Sequence, residues 1–266
     1  MVGEVDLPLR ARLTGPLLRR LRPAVLAAQL KRLLCIPRVL VATPAGSFAV
    51  DPISLLGDQL IRERCYEPAT VAALERHLSP GAVFVDVGAN EGYFTVLGGK
   101  LVGPAGRVVA VEPQARSREV LAENLRLNDL HNVAVCAAAV SDTEGTAELY
   151  LTPDVNTGGS GLARKNRYPL PTETVRTTTL ARLLADAGVG AVDLMKLDIE
   201  GFEYEAVFGS KDLFRSGAVR ALALELHPDV LRGRGRDPDE LVEFLRGCGY
   251  REDRSTGNVV FVRGAG

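Results

Sequence analysis

The sequence predicts an α/β fold built on a mostly parallel sheet, with an antiparallel strand at the C-terminal end. From residue 83 onward, short apolar runs rich in β-branched residues alternate with helical patterns, which is typical of parallel strands joined by helical crossovers. Several of these runs end in acids or glycines, as strands do where a sheet binds a ligand. The last two runs, 250–253 and 259–262, have the spacing of a hairpin.

A small cap of helices and a hairpin, residues 1–66, is expected before this sheet. The stretch 17–34 has helical apolar spacing, and Pro23 either divides it into two short helices or starts one. The run 38–50 predicts two strands around a turn. We therefore expect one main domain, 67–266, after the cap.

The main domain begins with a helix that ends before the first sheet strand. Its expected elements are helix 68–78, strand 83–87, helix 91–101, strand 107–111, helix 115–127, strand 133–140, strand 192–198 and strand 219–226, with one helix after each of the last two strands.

An insertion at about 146–178 interrupts this alternation between the third and fourth strands. Its two ends predict an additional pair of strands, and the stretch between them is rich in glycine, proline and polar residues. Long irregular segments in compact domains are often functional, so we expect a lid over a substrate site. The candidates for substrate contact are Asn156, Ser160 and Tyr168. The alternative is a solvated, mobile loop.

The turn after strand 83–87 carries the strongest signal for a ligand. Gly88 and Gly92 permit positive φ and a close backbone approach, and Glu112 ends the next strand, where a doubly wound sheet places the acceptor of a ribose diol. The turn lacks the central glycine of a dinucleotide fingerprint, and the acids Asp86 and Glu91 would repel a pyrophosphate. S-adenosylmethionine, which carries an ammonium and a sulfonium, suits this turn better.

Polar side chains follow five strand ends, beyond which the ligands of an open parallel sheet lie. We assign to the donor site Asp86, Gly88, Asn90, Gly92, Glu112, Ser141, Asp142 and Asp198. The remaining strand-end residues are Glu200, Glu225 and His227.

Six motifs resemble, in order and spacing, the FkbM family of S-adenosylmethionine-dependent methyltransferases. They are DVGANEGYFT at 86–95, VVAVEP at 108–113, NLRLNDLHNV at 124–133, AVSD at 139–142, KLDIEGFE at 196–203 and ALELH at 223–227. The resemblance covers about residues 65–250. It implies a Rossmann-like methyltransferase sheet and methyl transfer, usually to a hydroxyl oxygen of a sugar, a polyketide or another secondary metabolite.

Methyl transfer requires mainly that the acceptor be aligned with the methyl group and that water be excluded. A base acting on a hydroxyl acceptor adds typically about 10²–10⁴-fold. His227 has a suitable ordinary pKa, and Asp198 and Glu200 compete with it for this catalytic role. We expect no metal, because no histidine–acid cluster is evident in the sequence. The alternative functions are a nicotinamide-dependent oxidoreductase and a non-catalytic S-adenosylmethionine-binding module.

Charge and cysteine usage limit the partners and the compartment. The net charge of −1 argues against nucleic acid as a partner. The expected partner is the small hydroxylated acceptor that the family resemblance implies. Residues 1–40 nevertheless carry eight basic and two acidic residues, which we interpret as a solvated helix face in preference to a contact with a membrane surface or an acidic partner. A homodimer that forms through the cap is a further alternative.

No apolar stretch is long enough to span a bilayer, and the four cysteines form no C-x-x-C pair, so we expect a cytoplasmic protein with reduced thiols.

Overall fold

The computed structural model describes residues 7–21, 24–153, 157–163, 172–257 and 259–264. Its strands are β1 Val39–Thr43, β2 Gly46–Val50, β3 Val83–Val87, β4 Arg107–Val111, β5 Val133–Cys136, β6 Ala139–Val140, β7 Gly145–Tyr150, β8 Thr172–Thr178, β9 Val192–Leu197, β10 Val219–Leu224, β11 Tyr250–Asp253 and β12 Val260–Arg263. Its helices are α1 Leu9–Arg20, α2 Ala24–Leu33, α3 Leu55–Glu63, α4 Pro68–His77, α5 Tyr93–Val102, α6 Ala115–Leu127, α7 Leu180–Asp186, α8 Glu203–Phe208, α9 Lys211–Ser216, α10 Pro228–Gly233 and α11 Pro238–Gly247.

The main sheet confirms the predicted α/β class. Within the described residues it has seven strands in the order β11-β12-β10-β9-β3-β4-β5. The five strands from β10 to β5 are parallel, whereas β12 pairs antiparallel with both β10 and β11. The expected antiparallel C-terminal strand is therefore confirmed. Two helices follow β9 and two follow β10, where the sequence predicted one each.

Helices cover both faces of this sheet, which explains why its strands are nearly continuous apolar runs. Phe84 of β3 packs in the core formed with α4, α5 and α6, whereas Val85 and Val87 pack in the core formed with α7, α9 and α11. Asp86, between them, is fully buried on the α5 side of β3.

The expected third strand, 133–140, is wrong as a single strand. Only β5 pairs with β4; the chain then leaves the main sheet, and β6 pairs with β8 in a separate three-stranded sheet that also contains β7. The apolar run Val133–Val140 contains no turn residue, so hydrophobicity alone does not show where the pairing changes. The two strands predicted for the insertion are confirmed as β7 and β8.

The N-terminal segment contains the expected hairpin, β1–β2, and two short helices on either side of residues 22–23. The first helix begins at Leu9, earlier than predicted. Helix α3 was not predicted, although Ser54 caps its N-terminus by accepting from the Gly57 N–H at 3.0 Å. The backbone N–H of Ala49 donates to Asn124 of α6 at 2.8 Å, which holds the hairpin against the main domain. The boundary at residues 66 and 67 stays a prediction.

The four cysteines, which all lie in the described residues, are free thiols. Among the helices of the described chain, none is long and apolar enough to cross a membrane.

Candidate active site

A cavity of about 220 Å³ opens at the carboxyl ends of β3, β4, β9 and β10. The start of α3, the residues between α3 and α4, and the described part of the insertion also contribute to its wall. The expected site residues that line it are Gly88, Asn90, Glu112, Ser160, Asp198, Glu200 and Glu225. Parallel pairing brings these residues together because it places successive strand ends at one edge of the sheet.

Glu112 lies buried in the cavity wall at the end of β4. Its carboxylate accepts one backbone N–H on each oxygen, from Asn90 and from Gln114, both at 2.8 Å. Burial raises the pKa of Glu112 to about 7, although these two N–H groups lower it in part. Each oxygen retains a lone pair for a further donor. A buried acceptor with this capacity fits a pair of ligand hydroxyls such as a ribose diol.

Gly88 is required at the end of β3 by the neighbouring strand. Its φ is +86°, and a Cβ atom there would lie 1.9 Å from the carbonyl oxygen of Asp198. Gly88 also lines the cavity, as expected of a glycine that allows a ligand to approach, whereas the same expectation for Gly92 is not supported. Gly92 does not line the cavity; a Cβ at that position would lie 2.2 Å from Cδ1 of Leu121 on α6.

Lys196, the first residue of the motif KLDIEGFE, connects two of the expected donor-site acids. Nζ of Lys196 lies 3.1 Å from Oδ2 of Asp198 and 3.9 Å from Oδ1 of Asp86. Burial lowers the pKa of Lys196, but Asp198 and Asp86 raise it, and the net shift is upward. Asp86 also accepts from Oγ1 of Thr95 at 2.6 Å and lies behind the cavity wall, so a direct donor contact is not supported for it.

His227 lies beside the cavity, in contact with several acids. Its Nδ1 is 3.0 Å from Oε1 of Glu203, and its Nε2 is 3.7 Å from Glu200 and 4.0 Å from Asp198. The Glu203 hydrogen bond raises the pKa of His227 to about 9; burial opposes the shift, and the nearby carboxylates add to it. The imidazole is therefore protonated near pH 7. The prediction that His227 has a pKa suited to a catalytic base near neutral pH is therefore wrong.

Glu225, in contrast to His227, has a pKa suited to a catalytic base near neutral pH. It lines the cavity at the end of β10. Although the residue as a whole is exposed, partial desolvation of its carboxyl group, with the neighbouring charges of Asp198 and Glu67, raises its pKa to about 7. A carboxylate of this pKa is suited to accept a proton near neutral pH. The motif ALELH contained this residue, but nothing in the local sequence distinguished it from an ordinary strand-end acid.

Three residues of this cluster also have the composition of a cation site. Asp198, Glu225 and His227 each offer one ligand atom, and these atoms lie within 4.8 Å of one another. This histidine–acid cluster was not evident in the sequence, because its members come from two different strand ends.

The insertion reaches the cavity through its described part, residues 157–163. Gly161 pairs with Tyr150 through two backbone hydrogen bonds, and a Cβ on Gly161 would lie 2.9 Å from that of Glu200. Oγ of Ser160 accepts from the Thr152 N–H at 3.1 Å and faces the cavity. The other two substrate candidates, Asn156 and Tyr168, lie outside the described residues.

Ser141 and Asp142 do not line the cavity, in contrast to their expected role. The wall is formed there by the preceding residues 138–140. The Ser141 N–H bonds to the carbonyl of Thr178, and the Cα of Asp142 lies only 2.4 Å from where a Cβ of Gly209 would be. These contacts hold the two residues against β8 and the end of α8.

The structure weakens the argument that the acids Asp86 and Glu91 would repel a pyrophosphate. Arg38 makes a two-point ion pair with Glu91, at 2.6 and 2.9 Å, and Lys196 lies near Asp86. Both acids of the turn therefore have positively charged neighbours, and the choice of ligand rests on Glu112 and on the comparisons with other proteins.

Those comparisons identify the family. The sequence profile described as "Methyltransferase FkbM domain" matches residues 86–252. Methyltransferase sdnD of Sordaria araneosa is 28% identical over 204 residues, which cover 65% of this chain and 75% of that protein. The 31-O-demethyl-FK506 methyltransferase FkbM of Streptomyces tacrolimicus is 31% identical over 223 residues, which cover 72% of this chain and 79% of that protein.

Among solved structures, a methyltransferase FkbM from Methylobacillus flagellatus KT aligns with a TM-score of 0.47 and 16% identity, over 92% of this chain and 72% of that chain. The profile match covers more than half of the sequence and includes the strand ends that form the cavity. This chain therefore belongs to the FkbM family of S-adenosylmethionine-dependent methyltransferases.

Proposed function

We propose that this protein transfers the methyl group of S-adenosylmethionine to a hydroxyl oxygen of a small acceptor, such as a sugar, a polyketide or another secondary metabolite. One observation carries the proposal: a single cavity joins the buried diol acceptor Glu112 to the acids Asp198, Glu200 and Glu225. Glu112 and Glu225 follow strands that are three positions apart in the sheet, about 14 Å at the usual strand spacing. Family membership favours this function over a nicotinamide-dependent oxidoreductase.

Methylation at oxygen is supported by a relative's name and by the chemistry of the site. The Streptomyces relative is named as a 31-O-demethyl-FK506 methyltransferase, which denotes transfer to an oxygen. A hydroxyl is a weak nucleophile near pH 7, so a cavity with a carboxylate whose pKa is about 7 suits it. The proposal includes the class of acceptor named above and a cytoplasmic location of the protein.

The donor end of the cavity is assigned to Gly88, Asn90 and Glu112. Glu112 would accept both ribose hydroxyls, and the backbone turn at Gly88 and Asn90 would hold the donor against β3. When bound, S-adenosylmethionine supplies an electrophilic methyl group. Asp198 would face the positively charged part of the donor, with Lys196 beneath it setting the orientation of the carboxylate.

The acceptor end is assigned to Glu225, Glu200 and Ser160. The acceptor hydroxyl would lie beside Glu225, and the carboxylate of Glu225 would accept the hydroxyl proton. Asp198 is the second candidate for this base. His227, as a cation, would stabilise the negative charge of these carboxylates and would not itself remove the proton. Residues 157–163 would exclude water from the reaction as part of a lid.

No metal is included in this scheme, because a carboxylate can accept the proton and Lys196 already offsets part of the negative charge. The cluster of Asp198, Glu225 and His227 is compatible with a cation, so turnover in the presence of a chelator is the decisive measurement.

A screen with isotopically labelled S-adenosylmethionine tests the function. Hydroxylated sugars, polyketides and hydroxylated peptides are offered, and products are located by mass spectrometry. Acceptor-dependent label on an oxygen, lost in Glu112→Gln, is the expected result. Label on nitrogen would overturn the assignment to oxygen. Tight binding of S-adenosylhomocysteine without turnover of any acceptor would favour a non-catalytic binding module.

A further inference from the structure

The N-terminal helices α1 and α2 each present a stripe of leucines to solvent. Leu9, Leu13 and Leu17 are 68–71% exposed, and they recur every four residues along α1. At about 100° per residue they lie within an arc of about 80° on one side of the helix. The stripe on α2 consists of Leu26, Leu30 and Leu33, which are 44%, 40% and 77% exposed.

These leucines do not contribute to the core beneath the helices. Ala11 and Leu18, on the opposite side of α1, are buried with Ile36 and Ile53. Helix α1 is thus apolar on two sides, of which only one is covered by the protein. Aligned, exposed apolar stripes of this kind mark sites of interaction with another molecule or with a lipid surface.

The net charge of the segment that carries these stripes indicates the kind of partner. Residues 1–40 carry a net charge of +6, whereas the remaining 226 residues carry −7, which together give −1. Lys31 and Arg38 form ion pairs with Asp51 and Glu91, which lie outside residues 1–40, and the sequence of the segment contains six further basic residues. A basic segment with leucine stripes matches an interfacial helix pair that inserts leucines among anionic headgroups.

A second copy of the chain is a less suitable partner for this face. Two such faces brought together would each carry the +6 segment, and like charges at an interface cost free energy. An anionic membrane offers opposite charge to the segment and repels the acidic remainder of the protein, so it would also set the orientation. Ile53, which packs under α1, lies close in sequence to Leu55 and Leu56 of the cavity wall.

We propose that α1 and α2 dock on an anionic membrane surface, with the leucine stripes at the level of the headgroups. In this arrangement the helices lie along the surface, and the cavity wall that begins at Leu55 is held beside it.

Vesicle flotation tests this proposal on the full-length protein. Vesicles of phosphatidylglycerol and phosphatidylcholine should retain the wild type at low salt, and vesicles of phosphatidylcholine alone should retain it at least about tenfold less. The double variant Leu13→Glu/Leu17→Glu should lose about tenfold or more in binding. Val135→Glu, which changes an exposed apolar residue on the edge strand β5, is the matched control and should bind as the wild type does.

Two further measurements keep the result interpretable. Binding of S-adenosylhomocysteine and the thermal unfolding transition report whether the double variant is folded; if it is not, Leu30→Glu on α2 replaces it. Equal flotation of the leucine variants and the wild type, or no flotation with anionic vesicles, overturns the proposal. So does a dimer, seen by sedimentation, that dissociates in the leucine variants while the vesicles remain unbound.

Discussion

Nδ1 of His227 lies 3.0 Å from Oε1 of Glu203, and this contact sets the charge of the imidazole. The same Glu203 oxygen accepts from the N–H groups of Ile199 and Gly201, at 3.2 and 3.0 Å. The carboxylate is therefore held by the turn after β9 while it binds His227. One hydrogen-bonded group links the ends of β9 and β10 on the acceptor side of the cavity.

This contact predicts a pH-dependent contribution to stability. The pKa of His227 is raised to about 9 in the folded protein, so the contribution is fully present below pH 6.5 and is lost as the pH rises through about 9. His227→Gln should lower the free energy of unfolding by on the order of 2 kcal/mol at pH 6, after allowance for solvent screening. Above pH 9, the free energies of unfolding of His227→Gln and of the wild type should become nearly equal.

Denaturant unfolding across this pH range provides the measurement. His131→Gln is the control, because His131 and its partner Asp129 are both highly exposed, and its effect should stay within about 0.5 kcal/mol. A cost of His227→Gln that is the same at pH 6 and pH 10 would contradict the assigned role of the Glu203 contact.

Glu112→Gln should weaken binding of S-adenosylhomocysteine by about 10–100-fold at pH 8, because charge-assisted hydrogen bonds to the ribose hydroxyls are lost. Burial raises the pKa of the wild-type Glu112 carboxyl group to about 7, so the affinity of the wild type for S-adenosylhomocysteine should fall as the pH drops below 7. The affinities of the wild type and of Glu112→Gln should therefore be closer at pH 6 than at pH 8.

Calorimetry at pH 6 and pH 8 checks this prediction. Glu123→Gln, which changes an exposed carboxylate on α6, is the matched control and should leave the affinity unchanged. A dissociation constant of Glu112→Gln within about threefold of wild type at pH 8 would show that Glu112 does not hold the ribose.

Gly88→Ala and Gly81→Ala separate backbone strain from steric overlap. Both glycines have nearly the same conformation, with φ of +86° and +87°, but no atom lies within 4 Å of a Cβ at Gly81. Gly81→Ala should therefore cost about 1–2 kcal/mol, the penalty for a left-handed alanine. Gly88→Ala adds an overlap with the Asp198 carbonyl oxygen and should cost at least about 3 kcal/mol or prevent folding. Equal unfolding midpoints for the two variants would remove the steric explanation.

Glu225→Gln should reduce single-turnover methyl transfer by at least about tenfold while donor affinity is retained. Partial desolvation and the charges of Asp198 and Glu67 raise the pKa of Glu225 to about 7, so the wild-type rate should increase as the pH rises through 7. The rate of Glu225→Gln should not depend on pH in this range. Asp198→Asn and His227→Ala are measured in parallel. If Asp198→Asn alone abolishes the pH dependence, Asp198 is the base.

The same assay is repeated with a chelator. Turnover should continue, because the scheme uses a carboxylate base. If chelation stops the reaction and added magnesium restores it, the cluster of Asp198, Glu225 and His227 holds a metal and the metal-free scheme is wrong.

Deletion of residues 156–161, whose sequence NTGGSG is already close to a glycine–serine linker, should spare donor binding and reduce turnover. The described part of this segment lines the cavity and covers Glu200, so its loss should admit water and release the acceptor. Deletion of residues 254–257, a turn that does not line the cavity, is the control. Unchanged turnover with the native acceptor would reject the lid.

The sequence by itself determined the type of sheet and the positions of its ends. Apolar runs that alternate with helical patterns predicted the parallel strands, because residues buried on both faces of a sheet leave a continuous hydrophobic signal. The position of Glu112 directly after such a run placed it at the ligand edge. Gly88 was likewise recognised as a necessary glycine, although the sequence could not show that the Asp198 backbone requires it.

Only the tertiary structure decided the charges within the site. Lys196 reads in the sequence as part of a strand, yet β3–β9 pairing brings it to Asp86, which lies far away along the chain. The pKa of His227 depends on Glu203 in the same way. Sequence patterns report how each residue is buried within its own element, whereas a titrating group responds to charges within a few ångströms, whichever element supplies them. The pairing of distant strand ends therefore determined the protonation of His227 and Glu225.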